Sequence, residues 1–332
     1  MRVNEKVTQV AVTRFSVRLD GSSVLRDRGA EWLFSDFRMQ RRLALFSNLT
    51  LPSIVHSTVR PDHYIVVVDA ALPRVYLEML SSVLKDYDWI KIHVWNPADD
   101  FLQLKWILEL VNVRSPYVLT TTIDDDDALE IESNERMLDL VSLQLRGRWG
   151  SGAWIWFGSK NAWEWDLDLS QSDHGFIKPF SGGTNYWQGV GTSLLVPSKP
   201  NSPTSYAWTH EWIELVFSPF WLWKKKGFKK VFRHRASLVR RLVLDRKFKD
   251  LGSLFFRGWL VDVGARHSSE VDMLISNSQT NLVSIRMDLG KNVRRGDSIL
   301  AQLTRFGVSE AGLKEMCRVM LEFPVKNHEN SE

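Results

Sequence analysis

Residues 117–129 read YVLTTTIDDDDAL, and the order of residue types here decides what kind of fold the chain can adopt. The run at 117–123 is almost unbroken in apolar and β-branched residues, the composition of a strand buried on both faces in a parallel sheet. It passes directly into four aspartates, Asp124, Asp125, Asp126 and Asp127. Open α/β sheets bind ligands beyond the carboxyl ends of their strands, so a strand that ends in acid carries its chemistry at the expected edge. Four adjacent carboxylates would repel one another if buried without a cation, and their presence calls for solvent or a metal nearby.

Working outward, the same alternation repeats. Short β-type runs stand at 7–12 (VTQVAV), 64–68 (YIVVV, ending in Asp69) and 90–94. Between them, 32–49 carries Leu33, Phe37, Leu43 and Phe46 at helical spacing before Leu51-Pro52-Ser53 interrupts it. A second helical pattern opens at Leu72-Pro73 and runs through Val75, Leu80 and Leu84, a third covers 101–111, and a fourth covers 128–145. A Trp- and Gly-rich stretch then leads to Trp187, a strand at 192–196 and a polar loop at 197–205. Strands alternating with helices predict an α/β, Rossmann-like fold, its central sheet mostly parallel and flanked by helices, with a helical, basic C-terminal appendix. The expected division is a core at 1–217, a C-terminal region at 218–326 that returns to the core and ends in a helix, and a disordered tail at 327–332.

With 332 residues, 44% apolar and 25% charged, the chain has the composition of a globular protein. The one cysteine, Cys317, excludes an internal disulfide framework and suits a reducing compartment. The first residues lack a leader-like apolar run, and no stretch of about 18 uninterrupted apolar residues occurs. The expectation is a cytoplasmic protein. Net charge is +4, yet residues 218–250 hold 12 Lys/Arg against 2 Asp, so the rest of the chain is acidic. That basic segment is flanked by Phe220, Trp221, Trp223, Phe228 and Phe232, a composition of membrane-interface helices, which predicts peripheral contact with an anionic membrane surface; a solvated helical face is the plainer alternative. Nucleic acid is not expected as a partner, because no recognised binding signature accompanies the charge.

In a strand, alternate side chains share a face, so Asp124 and Asp126 are expected to converge on one ligand in a DxD arrangement, with Asp125 and Asp127 pointing elsewhere or starting the next turn. Hard carboxylate oxygens suit Mg²⁺ or Mn²⁺, and a metal held by one or two carboxylates keeps positions open for diphosphate oxygens. The bland alternative is a solvated acidic turn or helix cap.

The segment TTIDDDDALE resembles the DxD strand of GT-A glycosyltransferases, in particular the bacterial "putative rhamnosyltransferase" family. Thr13-Arg14-Phe15, Arg41, Leu45-Phe46, Thr50-Leu51-Pro52-Ser53, Asp69 and Leu72-Pro73 resemble that family's N-terminal half, over residues 8–130 and more loosely to 285. The chain departs from the family in having Thr122 and Ile123 where an arginine and a leucine usually precede the acids. The resemblance implies transfer of a sugar from a nucleotide-sugar donor to a glycan or lipid-linked acceptor. It implies that Thr13, Arg14 and Asp69 line the nucleoside pocket, with Asp124 at the ribose and Asp125 beside the donor. It implies that Asp126 and Asp127 hold Mn²⁺ or Mg²⁺, with His267 or His210 as a further metal ligand. Glu211 is the candidate general base and Asp173 a second candidate, although an acidic first helical turn also accounts for Glu211. Trp149, Trp154, Trp156, Trp163, Trp165 and Trp187 offer stacking surfaces for sugars, at least half of them expected simply to pack. Two other readings use the same residues: a metal-dependent phosphohydrolase, and a non-catalytic carbohydrate- or membrane-binding protein.

Overall fold

The structure is a computed structural model, and it describes residues 6–18, 32–95, 101–147, 154–158, 163–166, 169, 173–174, 176–179, 191–206, 258–262, 273–277, 282–286 and 298–323. Its strands are β1 (Val7–Phe15), β2 (His63–Asp69), β3 (Ile90–Trp95), β4 (Tyr117–Thr122), β5 (Ala128–Leu129), β6 (Trp154–Gly158), β7 (Trp163–Asp166), β8 (Phe176–Pro179), β9 (Ser193–Pro197), β10 (Gly258–Asp262), β11 (Met273–Asn277) and β12 (Leu282–Arg286). Its helices are α1 (Asp36–Leu45), α2 (Leu51–Val55), α3 (Arg74–Leu84), α4 (Lys105–Leu110), α5 (Ser133–Gly147), α6 (Ile299–Leu303) and α7 (Glu310–Glu322).

Seven strands form the central sheet in the order β10-β6-β9-β4-β1-β2-β3. All neighbours are parallel except β9, which runs against both β4 and β6. The α/β expectation therefore holds, as a mixed sheet with one reversed strand. A second, smaller sheet, β5-β11-β12-β7-β8, is antiparallel throughout.

Strand alternation explains the two layers packed on the sheet. Val10 and Val12 of β1, with Ile65 and Val67 of β2, face α4 through Trp106 and Ile107. Ala11 and Phe15, with Tyr64, Val66 and Val68, face α1 and α3 through Met39, Leu43, Tyr76 and Leu80. A third cluster seats α6 and α7 on the far side of α1 through Leu45, Leu49, Leu303, Phe306, Leu313 and Met316, with Trp165 and Ala128 from the smaller sheet. Each of these aliphatic side chains contributes ~2 kcal/mol by leaving water. No helix among the described residues is long and apolar enough to cross a membrane.

Three local expectations are corrected. The helix starting near residue 32 does not break at Leu51-Pro52-Ser53: α1 continues through a wide π-turn at Phe46–Thr50 into α2. Pro52 has no N–H and its ring would press on the carbonyl one turn back; widening that turn accommodates it, and the Asn48 side chain donates to the Ala44 carbonyl at 2.9 Å. Residues 128–145 are not one helix: Ala128 and Leu129 pair with β11, and α5 starts at Ser133. The third helix is confined to α4, because Gln103 bridges to Pro203 and the Leu104 N–H donates to the Ser202 carbonyl at 2.7 Å.

β1 lies between β4 and β2, so the chain leaves it toward one side first and returns on the other. Such a reversal opens a crevice at the carboxyl ends of the two diverging strands, the place where open α/β sheets bind ligands. β4 delivers the aspartate run to that edge of the sheet.

Candidate functional site

The four aspartates do not prolong β4. The Asp127 N–H donates to the Asp124 carbonyl at 3.0 Å, which closes a turn, and the Asp127 carboxylate accepts from the Asp124 N–H at 3.3 Å. The two-face alternation expected of a strand is therefore replaced by a split across the sheet edge. Asp124, half-exposed, pairs with Arg14 of β1 at 3.1 Å. Asp125 and Asp126, both buried, meet Arg42 of α1: its Nη2 lies 2.7 Å from Asp125 Oδ1, and its Nη1 contacts Asp126. The cation that four carboxylates demand is thus supplied, at least in part, by the protein.

Arg42 is an unanticipated member of the site, and so is Arg38, one helical turn earlier and buried. Arg38 Nη1 donates to Ser16 Oγ at 2.9 Å and to the Leu33 carbonyl at 2.8 Å. Burial, reinforced by the charge of Arg42 and opposed by Asp125, lowers the Arg38 pKa to about 9. Ser16 itself, just past β1, has φ 54°, and it is the non-glycine residue with positive φ among those described. A serine held in this region is strained, and such strain clusters at sites that bind or react. Helical spacing of Arg38 and Arg42 was readable in the sequence, but nothing there said which face met the acids.

On the other side of the edge, the Arg14 guanidinium lies 4.6 Å from the centre of the Tyr206 ring while pairing with Asp124. Burial acts to lower the Arg14 pKa, but Asp124 and Tyr206 outweigh it and hold the group above its ordinary value. The Tyr206 hydroxyl donates to the Val12 carbonyl at 2.9 Å, which fixes the ring beneath the guanidinium. Thr13 turns to the opposite face, its hydroxyl 2.8 Å from that of the fully buried Tyr64.

Asp69, at the end of β2, is gripped by Arg18: Nη2 to Oδ1 at 2.7 Å, and both Nε and the backbone N–H to Oδ2 at 2.9 Å. The Ala71 N–H adds a further bond at 2.8 Å. Burial alone would raise its pKa, yet these donors keep it below the usual carboxylate range. For Asp125 the balance is reversed: burial raises the pKa against the pull of Arg42 and Arg38.

Both oxygens of Asp125 and one of Asp126 are buried outside hydrogen-bond geometry, although Arg42 is within ion-pair distance. Hard oxygens left without directional donors suit a divalent cation in kind, although no group of three or more His, Cys, Asp or Glu that could hold a metal ion is gathered among the described residues. Asp173 is exposed in a turn beside His174, whose carbonyl accepts from Trp165 Nε1 at 2.8 Å. Trp165 is fully buried and packs rather than presenting a stacking face. Glu211, His210, His267, Trp149, Trp187 and the basic segment 218–250 lie outside the described residues.

Behind the turn, Glu130 is buried and receives Arg136 from α5 and Arg305 from the turn after α6, the latter through Nε at 2.8 Å. The Ile131 N–H donates to the Arg305 carbonyl at 3.0 Å. These bonds fix the acidic turn to the C-terminal helices.

Residues 8–145 match the family model described as "Putative rhamnosyl transferase", which agrees with the resemblance carried by the aspartate strand and supports a glycosyltransferase. No curated protein matches the chain by sequence. Similar solved structures include 4-diphosphocytidyl-2C-methyl-D-erythritol synthase from Anaerococcus prevotii DSM 20548, at 12% identity over 59% of this chain and 71% of that one, TM-score 0.29. S. aureus TarS 1-349 is similar at 12% identity over 57% and 47%, TM-score 0.26. Mouse xyloside xylosyltransferase 1 in its apo form is similar at 9% identity over 57% and 66%, TM-score 0.24.

Proposed function

We propose that this chain is a metal-dependent GT-A glycosyltransferase that moves a sugar from a nucleotide-sugar donor to a hydroxyl of a glycan or lipid-linked acceptor. The observation that carries the proposal is the position of the acidic turn, at the carboxyl ends of β4 and β1 where the strand order reverses. The family match over residues 8–145 supports sugar transfer, and rhamnose is the donor sugar it suggests.

In this reading Asp126 and Asp127 hold Mn²⁺ or Mg²⁺, with Asp124 and Asp125 beside the donor. The bound cation would supply Lewis-acid neutralisation of the departing diphosphate. Arg14, fixed between Asp124 and Tyr206, and Asp69, fixed by Arg18, line the nucleoside end; their rotamers are set before the donor arrives, which limits the ordering cost of binding. As the bond from the sugar to the diphosphate breaks, the acceptor oxygen takes its place at that carbon, and its proton goes to a carboxylate, Glu211 or Asp173, if the configuration inverts. His267 or His210 completes the metal set in the same proposal. A cytoplasmic enzyme applied to the inner face of a membrane through 218–250 would meet a lipid-linked acceptor where it is made.

A thermal-shift screen of nucleotide sugars with and without Mn²⁺ tests this, since a ligand that binds the native state raises Tm. The expected result is a donor whose effect needs the metal and disappears in Asp126→Ala together with transfer. Transfer retained by Asp126→Ala would overturn the proposal.

A further inference from the structure

The acidic turn already has a cation, and that cation is part of the chain. Arg42 sits 2.7 Å from Asp125, touches Asp126, and comes from a different element on the opposite layer. Its Nε and Nη1 are buried without a hydrogen-bond acceptor, so the contact satisfies charge better than it satisfies geometry. The same is true on the acid side, where the fully buried Asp125 carboxylate meets Arg42 at ion-pair distance but outside hydrogen-bond alignment. Arg38, one turn away on the same helix and also buried, has an unpartnered Nε and adds a second positive charge beside the first. Two guanidiniums four residues apart on one helix face repel each other, an arrangement that persists where anionic charge is concentrated nearby.

We propose that Arg42 is a resident counter-cation that competes with the divalent metal for Asp125 and Asp126, so that the metal enters by displacing a guanidinium rather than by filling open oxygens. The inference rests on the glycosyltransferase reading for the identity of the cation and deepens it by naming the group that sets how tightly the cation is held. A guanidinium is planar and forked, and it matches phosphate oxygens as well as carboxylates. Once displaced, Arg42 keeps a partner wherever a diphosphate lies against the same edge.

The test uses the full chain and Mn²⁺ alone as the probe, with melting temperature as the readout. Removing Arg42 leaves a buried carboxylate pair without its counter-charge, so Arg42→Gln is expected to melt below wild type in EDTA. Mn²⁺ at about 100-fold above the Kd of Arg42→Gln should then raise the Tm of that variant by ~4 °C, and by ~2 °C or more beyond the rise in wild type at the same concentration. Arg42→Lys, a point charge in place of the fork, should gain an intermediate amount. If Arg42→Gln folds only when Mn²⁺ is present, that also supports the inference. Equal Mn²⁺ shifts in wild type, Arg42→Gln and Arg42→Lys would overturn it, as would failure of Arg42→Gln to fold with or without Mn²⁺ while Arg42→Lys gains no more than wild type. Wild type with a nucleotide sugar and Mn²⁺ separates the two layers: a metal-dependent donor shift there, with no extra Mn²⁺ gain in the variants, removes the Arg42 inference and leaves the glycosyltransferase reading standing.

Discussion

Glu130 and Arg305 stand 175 residues apart in the chain and are joined by a bond from Arg305 Nε to Glu130 Oε1 at 2.8 Å, with Arg136 on the other carboxylate oxygen. The carboxylate is buried, three residues beyond the acidic turn, and without it two guanidiniums lose their shared partner. Glu130→Gln is expected to cost about 3 kcal/mol, the range for breaking one side of a buried ion pair. Urea unfolding of the variant checks this, and a cost under about 1 kcal/mol would mean that solvent replaces the contact.

Gly307 follows the short helical turn Thr304–Phe306 with φ 76°, and a β-carbon there would lie 2.7 Å from the Pro52 carbonyl oxygen. Gly307→Ala therefore combines a left-handed backbone with a close contact to rigid main chain, and a loss of more than about 1 kcal/mol is expected. Gly312→Ala, whose nearest neighbours are the Asn48 side chain at 3.2 and 3.3 Å, should cost less because that side chain can move. Comparing the two melting temperatures decides it.

Arg14 is held by a carboxylate on one side and an aromatic ring on the other. Lysine keeps the charge but neither the fork nor the flat face. Arg14→Lys is expected to weaken donor binding about tenfold, or ~1.4 kcal/mol, with the fold intact. Calorimetric titration with the donor found in the thermal-shift screen measures it; unchanged affinity would remove Arg14 from the nucleoside end.

Asp69 has a native pKa below its ordinary value because of Arg18 and two backbone donors, with burial working the other way. A depressed carboxylate stabilises the fold above the unfolded pKa of about 4, and that contribution is lost as pH falls through the lower native value. Asp69→Asn should therefore show a smaller loss of Tm between neutral pH and pH 3 than wild type, and a steeper loss would contradict the assignment.

The parallel half of the sheet was legible because strands buried on both faces carry nearly continuous β-branched runs. Residues 64–68 and 117–123 advertise β2 and β4 almost to their ends. β1 runs three residues further than its apolar run, through Arg14, because Thr13, Arg14 and Phe15 still pair with β2; a charged residue whose head is held at the sheet edge looks like a strand end. Ala128 and Leu129 suggest a helix by propensity, and a partner strand from 273–277 overrides it, a contact with no local signature. The acids were legible as a cluster, but not as a cluster already neutralised. Arg38, Arg41 and Arg42 lie within five residues and go to three destinations: Ser16, the Phe323 carbonyl and the acidic turn. Helical phase sets Arg41 about 100° from Arg42 but leaves Arg38 and Arg42 on one face, where only the neighbouring elements separate them, and the widened turn that follows could not be inferred from Pro52.

That widened turn has a consequence for evolution by insertion and deletion. A regular helix advances about 100° per residue, so one residue more or less rotates everything beyond it, whereas a widened turn takes up the extra residue locally. Deleting Asn48 would restore a regular spiral with Arg42 and Ile54 near their present phase, and would bring the Pro52 ring back against the carbonyl one turn earlier. A one-residue change of length is therefore tolerable within that turn and nowhere else along the helix.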